Sequence, residues 1–319
     1  MFRPPSADLS DYTHYANWVE ACTLFSGTGF TSKSKAADVL RDEGIIGSRA
    51  DDFFEVDANP LEDSFSDEDS AGTFLEEVWQ THQQRRLTLK RLYPFLLTHQ
   101  DLRLSDTNWK EVPTYSTLLL ADLWRMYHKP ETLATETFPV LFEKIVEASK
   151  KGLLGGAVVR FGHPPDENWP TGINERIQLL GELMSLKTES LEGKTAAADN
   201  DRGLDVAGRL GFGDDGAGTI VVLTQCATGK HWRKKTGEPS LSQWRNIFQW
   251  DAKLIRGVAI PWSLSPEERI RTHHTFDDAV VFDRFRLLYG DPDAHLTETV
   301  REEMIEWCTA RLSELPSLS

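Results

Sequence analysis

Two apolar segments in the second half of the chain each carry a polar residue that could do chemistry. Asp205 lies between Leu204 and Val206 in LDVAGRL, and Gln225 follows the apolar residues 220–223 in TIVVLTQCA. A polar side chain at such a position needs a partner, because burial without a hydrogen bond is costly. Carboxylate and amide oxygens are ligands that Mg²⁺ accepts in proteins. The two positions therefore indicate a candidate divalent-cation site.

Two charged residues extend this set. Glu143 lies among apolar residues with helical spacing, and Lys230 follows the second apolar segment after Gly229. A bound metal ion neutralises a scissile phosphate, and a lysine can position the attacking water or offset developing charge. Together with Asp205 and Gln225, these residues form the set that a metal-dependent phosphodiesterase requires.

The charge distribution indicates where a nucleic acid would bind. The chain has a formal net charge of −15, yet residues 223–256 hold seven basic residues against two acidic ones. Within this basic stretch, we expect Arg233, Lys234 and Lys235 to contact backbone phosphates without reading base edges. Residues 51–77 contain eleven acidic residues and no Lys or Arg, and are interpreted as an acidic loop.

Hydrophobic periodicity predicts the elements that position these residues. The glycine- and aspartate-rich GFGDDGAG joins the two apolar segments, which favours an antiparallel hairpin. The predicted order is helix 141–153, strand 157–161, helix 173–186, strands 204–210 and 219–227, helix 241–248 after Ser240, strand 257–262, an apolar segment 279–288 and a terminal helix 297–312. This order predicts a mixed α/β class, with a central mixed sheet flanked by helices.

The length of 319 residues is typical of two domains. Residues 1–135 are predicted to form a largely helical accessory or regulatory domain, and residues 136–319 the domain that carries the candidate site. In the second domain, the adjacent His273 and His274 are interpreted as incidental members of a polar loop. Asp283 and Arg284 are interpreted as an internal ion pair.

Three sequence motifs carry a resemblance to a known family. LFEKIVEASKKGLL, GLDVAGR and VVLTQCATGKHWRKK, in that order, resemble the PD-(D/E)xK restriction-endonuclease-like superfamily and are most similar to its Mrr-type branch. The resemblance covers residues 140–262. It implies a restriction-endonuclease-like core and Mg²⁺-dependent cleavage of nucleic acid, expected to be DNA, in prokaryotic defence against foreign nucleic acid. Mn²⁺ is the expected substitute metal.

The resemblance also assigns roles by position. Glu143 matches the helix glutamate, Asp205 the metal-binding aspartate, and Gln225 the second acidic ligand, which is often Gln in this branch. The family lysine stands two residues after that ligand, where this chain has Ala227. Lys230 is the first lysine beyond it, and is expected to reach the site in its place.

A non-catalytic interpretation stays open beside this one. The displaced lysine and the strongly negative net charge also fit a catalytically degenerate nuclease-fold subunit with a structural or sensing role in a larger complex. In that interpretation Asp205 is a salt-bridged strand residue and Gln225 a satisfied core amide. Glu143 and Lys230 are then solvated surface residues.

Composition indicates the cellular compartment and the kinds of partner to expect. Three cysteines stand far apart with no C-x-x-C pair, which argues against a disulfide framework and a cysteine zinc site, and favours a cytoplasmic location. No apolar run approaches the roughly 18 residues of a membrane span, so no membrane partner is expected. The expected partners are nucleic acid and, through the N-terminal domain, another protein or a second copy of the chain.

Overall fold

A computed structural model describes most of the chain around one central mixed sheet. The described residues are 1–5, 12–46, 67–128, 133, 137–195, 201–214, 218–249, 252–276 and 279–317, with 67–71 described by their backbone alone. Their helices are α1 (Tyr12–Phe25), α2 (Lys33–Asp42), α3 (Asp67–Leu89), α4 (Pro113–Tyr127), α5 (Phe138–Leu154), α6 (Ile173–Leu183), α7 (Leu241–Arg245), α8 (Pro266–Phe276), α9 (Arg284–Tyr289) and α10 (Glu298–Leu312). The strands are β1 (Phe30–Ser32), β2 (Phe95–Leu97), β3 (Asp101–Leu104), β4 (Gly155–Arg160), β5 (Lys187–Thr188), β6 (Val206–Leu210), β7 (Thr219–Cys226), β8 (Phe248–Gln249), β9 (Ala252–Ala259) and β10 (Ala279–Phe282).

The central sheet has five strands in the order β10-β9-β7-β6-β4. Strands β10, β9 and β7 run parallel to one another, whereas β6 is antiparallel to both β7 and β4. The predicted hairpin of β6 and β7 is confirmed, with Val206 opposite Thr224. Asp205 precedes β6 and Gln225 lies near the end of β7, so the antiparallel pairing brings both to the same edge of the sheet.

Helices cover both faces of the sheet, which confirms the predicted mixed α/β class. On one face, α5 packs its apolar stripe against Val158 and Val206. This helix ends at Gly155, whose φ of +63° is a left-handed conformation that glycine adopts readily. On the other face, α6 and α7 pack against Ala207 and Leu223, and α8 packs against β10.

The apolar core is continuous across the predicted domain boundary at residue 135. One cluster joins α1, α3 and α4 of the N-terminal part to α5, α9, α10 and a face of the central sheet. The N-terminal part also contains a sheet of order β1-β3-β2, which hydrophobic periodicity did not predict. Strands of three or four residues are too short to give a distinct periodic pattern.

Several local predictions differ from the structure. His273 and His274 lie in α8 and not in a loop. Asp283 is the N-cap of α9 and divides the apolar segment 279–288 into β10 and α9. The predicted Asp283–Arg284 ion pair is wrong, because Asp283 pairs with Arg269 and Arg284 pairs with Glu20.

The acidic stretch 51–77 is helical from residue 67 onward, and residues 51–66 lie outside the described part. Among the helices of the described ranges, none combines the length and the apolar character needed to cross a bilayer.

Candidate functional site

Asp205 and Gln225 meet at the end of the β6–β7 hairpin. Gln225 donates from Nε2 to Asp205 Oδ2 at 2.9 Å, and the backbone N–H of Cys226 donates to the same oxygen at 2.6 Å. These two donors fix the Asp205 carboxylate against the end of β7. The other amide atom, Gln225 Oε1, is buried and has no hydrogen-bond partner among the described residues. An unpartnered buried oxygen beside a carboxylate is a position that a cation would satisfy.

Glu143 reaches the same edge from α5. Its Oε2 accepts a hydrogen bond from Arg160 Nε at 2.8 Å, and Arg160 is itself buried at the end of β4. Gly162 allows this approach, because a Cβ at residue 162 would collide with the Glu143 carboxylate. The backbone N–H of Gly162 also donates to the carbonyl oxygen of Asp205 at 3.1 Å, which ties the two carboxylate-bearing segments together.

Burial and mutual repulsion make these carboxyl groups easy to protonate. Burial raises the pKa of Asp205 to about 7, against the Cys226 hydrogen bond, and the charge of Asp201 adds to the increase. Burial and the charge of Asp205 raise the pKa of Glu143 to about 8, although Arg160 opposes the change. Buried negative charge of this kind is stabilised by a cation, and perturbed carboxyl groups are common at functional sites.

The oxygen atoms at this site could supply part of the coordination shell of a hard divalent cation. Asp205 and the free Gln225 Oε1 are oxygen ligands, and Mg²⁺ is often held by one or two carboxylates while water and substrate phosphate complete its shell. Within the described ranges, however, no group of three or more His, Cys, Asp or Glu side chains is placed to hold a metal. Glu143 is also engaged by Arg160. The residues therefore suit Mg²⁺ or Mn²⁺ bound with water, and not a cage of protein ligands alone.

Lys230 is exposed on the loop after β7. Ala227, at the position where the family has its lysine, is buried in an apolar cluster with Trp232 and Val258. The sequence-based assignment of Lys230 to the site therefore stays a prediction.

Lys235 lies in the neighbourhood of Asp205. Its positive charge is close enough to lower the pKa of that carboxyl, in opposition to burial. Lys235 Nζ is 3.8 Å from Glu238 Oε2. Glu238 in turn lies against Gly203, where a Cβ would stand 3.4 Å from the Glu238 side chain and 3.3 Å from Gln225 Oε1. Lys235 thus belongs to the same neighbourhood as the unpartnered amide oxygen.

Trp232 explains how Lys235 comes to this place. Trp232 is buried and stacks on Phe276 of α8, with ring centroids 5.8 Å apart and an interplanar angle of 10°. The chain makes a single 3₁₀ turn at Trp232–Lys234, and Lys235 follows directly. A large aromatic residue in a basic run is the sequence signal for such an anchor, since its buried ring fixes the backbone of the turn that carries the neighbouring lysines.

The other two predicted phosphate contacts differ from each other. Arg233 donates to Glu268 of α8 at 2.8 Å, so this guanidinium is partly neutralised. Lys234 is exposed on the 3₁₀ turn.

Sequence reasoning did not single out Arg160 and Asp201, although the charges of both affect the pKa values of Glu143 and Asp205. The sequence D-R-G-L-D, which places Asp201 four residues before Asp205, is the signal for the second of them.

Comparison with protein-family models, with curated proteins and with solved structures found no match to this chain. The functional assignment therefore depends on the geometry of the site and on the resemblance of its three motifs.

Proposed function

We propose that this protein is a metal-dependent phosphodiesterase with a restriction-endonuclease-like core, which cleaves nucleic acid and specifically DNA. The observation that carries the proposal is the pairing of Asp205 with Gln225, which leaves Gln225 Oε1 without a partner among the described residues, in the neighbourhood of Lys235. The order of the Glu143, Asp205 and Gln225 motifs supports the same assignment. Under this proposal the protein acts in the cytoplasm of a prokaryote against foreign nucleic acid.

In this proposal, Asp205 and Gln225 hold the metal through oxygen atoms, with Glu143 as a further ligand. When bound, Mg²⁺ supplies neutralisation of the scissile phosphate. The hydrogen bond from Gln225 Nε2 orients the Asp205 carboxylate and leaves Oε1 without a partner among the described residues. Arg160 holds the Glu143 carboxylate in place, and a bound cation would share that carboxylate with it.

Lys235 supplies the ammonium group in this proposal. Its place beside Asp205 suits a group that offsets negative charge on the phosphate and orients the attacking water. Trp232 positions it by anchoring the preceding turn. Lys234, and Arg233 when it leaves Glu268, would contact neighbouring phosphates along the strand.

Cleavage of DNA by matched lysine variants tests this function. Plasmid and single-stranded DNA are incubated with Mg²⁺ and the wild type, Asp205→Ala, Lys235→Ala or Lys230→Ala. We expect Asp205→Ala and Lys235→Ala to lose activity by a factor on the order of 10²–10³, as for other groups that stabilise developing charge. Lys230→Ala is the control for a nearby lysine and should retain activity. Equal cleavage by the wild type and Asp205→Ala would remove the proposal, and loss in Lys230→Ala alone would assign the role to Lys230.

A second function is favoured by a specific observation. Asp205, Gln225 and Glu143 are only 4%, 6% and 7% exposed, and Glu143 is already neutralised by Arg160. This burial suits a nuclease-fold subunit that has lost catalysis and serves a structural or sensing role. If purified protein neither cleaves DNA nor gains thermal stability from Mg²⁺ or Mn²⁺, and co-purifies with a partner protein, this second function is supported.

A further inference from the structure

A large cleft opens away from the candidate site, between the N-terminal helices and the end of the central sheet. Its volume is about 1140 Å³. One wall is a single stripe of α3 that includes Thr81, Gln84 and Arg85, and the opposite wall is α8. Phe282 and Phe285 contribute to the lining between the two walls. Clefts of this size and mixed lining are typical of ligand sites.

Two arginines and a histidine stand where this cleft meets a second cavity. The second cavity has a volume of about 340 Å³, and Arg269, His273 and Arg286 line both cavities. The rest of its lining is apolar, from β10.

The two arginines at this junction differ in their contacts. Arg269 is half-buried and pairs with Asp283 at 2.7 Å, while its Nε is buried without a hydrogen-bond partner among the described residues. Arg286 donates to the carbonyl oxygen of Val281 at 2.6 Å. The lining residues include two acids, Glu77 and Glu267, both in the larger cleft.

Exposed apolar side chains gather at the same place. Ile270 and Tyr289 are 61% and 60% exposed and line the large cleft, and Val280 is exposed and lines the smaller cavity. Exposed large apolar side chains that converge on one concavity indicate a surface that a ligand covers. Tyr12 adds a further aromatic ring to the lining.

We propose that the two adjoining cavities form a binding site for a nucleoside phosphate. The phosphate would bind where Arg269, His273 and Arg286 meet, because guanidinium groups recognise phosphate through paired donors. The base would pack on the apolar and aromatic rim at Ile270 and Tyr289, since bases stack on such side chains. The ligand is either a free nucleotide or the phosphorylated end of a nucleic-acid strand, which share this chemistry.

The position of this site on α8 links it to the Lys235 segment. The same helix accepts the Arg233 ion pair through Glu268 and the Trp232 stack through Phe276. A ligand bound in the cleft would therefore contact the helix that also braces the segment carrying Lys235. The binding proposal itself does not depend on the nuclease function.

Binding is measured by calorimetry in EDTA, on full-length Asp205→Ala protein so that cleavage plays no part. The probes are AMP, adenosine, inorganic phosphate and a 5′-phosphorylated oligonucleotide. We expect AMP or the oligonucleotide to bind at least about tenfold more tightly than adenosine and phosphate, because both halves of the ligand contribute. The oligonucleotide binding more tightly than AMP identifies a strand end, and the reverse identifies a free nucleotide. Absence of binding by both, or equal binding by inorganic phosphate, would overturn the proposal.

Two variants and one matched control locate the site. Arg269→Gln removes a lining cation, and Ile270→Asp places a carboxylate at an exposed rim position where folding is not at risk. Arg271→Gln makes the same charge change on the exposed side of α8, outside both cavities. We expect binding to fall at least about tenfold in the first two and to persist in the control. If Ile270→Asp, shown to be folded by its melting transition, binds as well as the control, the site is not in this cleft.

Discussion

The hydrogen bond between Gln225 Nε2 and Asp205 Oδ2 joins the two side chains at the centre of the candidate site. It uses the nitrogen end of the amide, and the oxygen end has no hydrogen-bond partner in the part of the chain that the structure describes. Sequence reasoning identified both residues from polarity within apolar segments. It did not identify Lys235 as the neighbouring ammonium, because the distance along the chain to a lysine says nothing about how Trp232 folds the segment. The packing of that indole on Phe276 fixes the turn that precedes Lys235.

The raised pKa of Asp205 predicts a pH-dependent stability in metal-free buffer. The ordinary pKa of an Asp is about 3.9, and the folded value is about 7. Between these values the folded chain keeps a proton that the unfolded chain has lost, so the stability contributed by this group decreases as pH rises towards 7. We expect the decrease in the free energy of unfolding from pH 5 to pH 8 to be about 2 kcal/mol smaller in Asp205→Asn. Urea unfolding in EDTA measures the free energy of unfolding of both proteins at the two pH values. Parallel pH profiles for the wild type and Asp205→Asn would contradict the prediction.

Among the helices and strands, sequence reasoning predicted those in which the apolar periodicity extends over enough residues to be recognised. Helix α5 and the β6–β7 hairpin lie where they were expected, and Ser240 caps its helix as predicted. Short strands such as β5 and β8 were missed, because two residues carry no period. The segment 279–288 was predicted as one apolar segment. The break at Asp283 was missed because its role as an N-cap depends on its backbone conformation, which the sequence does not show.

Helix α5 carries a buried lysine that lowers stability at neutral pH. Lys150 is fully buried, its Nζ has no hydrogen-bond partner within the described part, and it lies 3.6 Å from the centre of the Phe282 ring. Burial lowers the pKa of Lys150 to about 7. Between about pH 7 and 10.4 the unfolded chain binds a proton that the folded chain does not, so the stability contributed by this group rises with pH.

Replacing this amine should therefore stabilise the protein below pH 7. We expect Lys150→Met to increase the free energy of unfolding by roughly 3–5 kcal/mol at pH 6.5, with the gain shrinking at pH 9.5. Lys151→Met is the control, because Lys151 is an exposed neighbour paired with Glu147. Denaturant unfolding at the two pH values gives the comparison. A gain that is the same at both pH values would show that charge burial is not its cause.

At the level of the whole molecule, a buried ionic network joins the N-terminal helices to the sheet part. Glu20 of α1 accepts from Arg284 of α9 at 2.7 Å and pairs with Arg85 of α3 at 2.8 Å. Asp122 of α4 accepts from the backbone and hydroxyl of Ser263, beyond β9. Composition and length suggested two domains. Neither of them could predict these ion pairs and hydrogen bonds, because the paired residues are far apart in the sequence. Because the apolar core is also shared, we expect residues 136–319 alone not to fold stably.

The network should be more sensitive to loss of one partner than any surface pair. Arg284→Met leaves the fully buried Glu20 carboxylate with less compensating charge, and we expect a loss of about 3–5 kcal/mol in the free energy of unfolding. Arg91→Gln breaks an exposed pair with Asp291 and should cost less than about 1 kcal/mol. Thermal or urea unfolding should show one cooperative transition in both. Equal losses, or separate transitions for the two halves of the chain, would contradict a shared core.

The most direct test of the proposed site is the binding of Mn²⁺ measured by calorimetry. The wild type should bind one Mn²⁺ ion with release of protons at pH 7.5, because the metal must displace protons from carboxyl groups with raised pKa values. Asp205→Ala should lose this binding, and Glu182→Gln, at an exposed position on α6, should keep it. Binding of Mn²⁺ with the same affinity by Asp205→Ala, or no binding by the wild type, would contradict a metal site at the end of the β6–β7 hairpin.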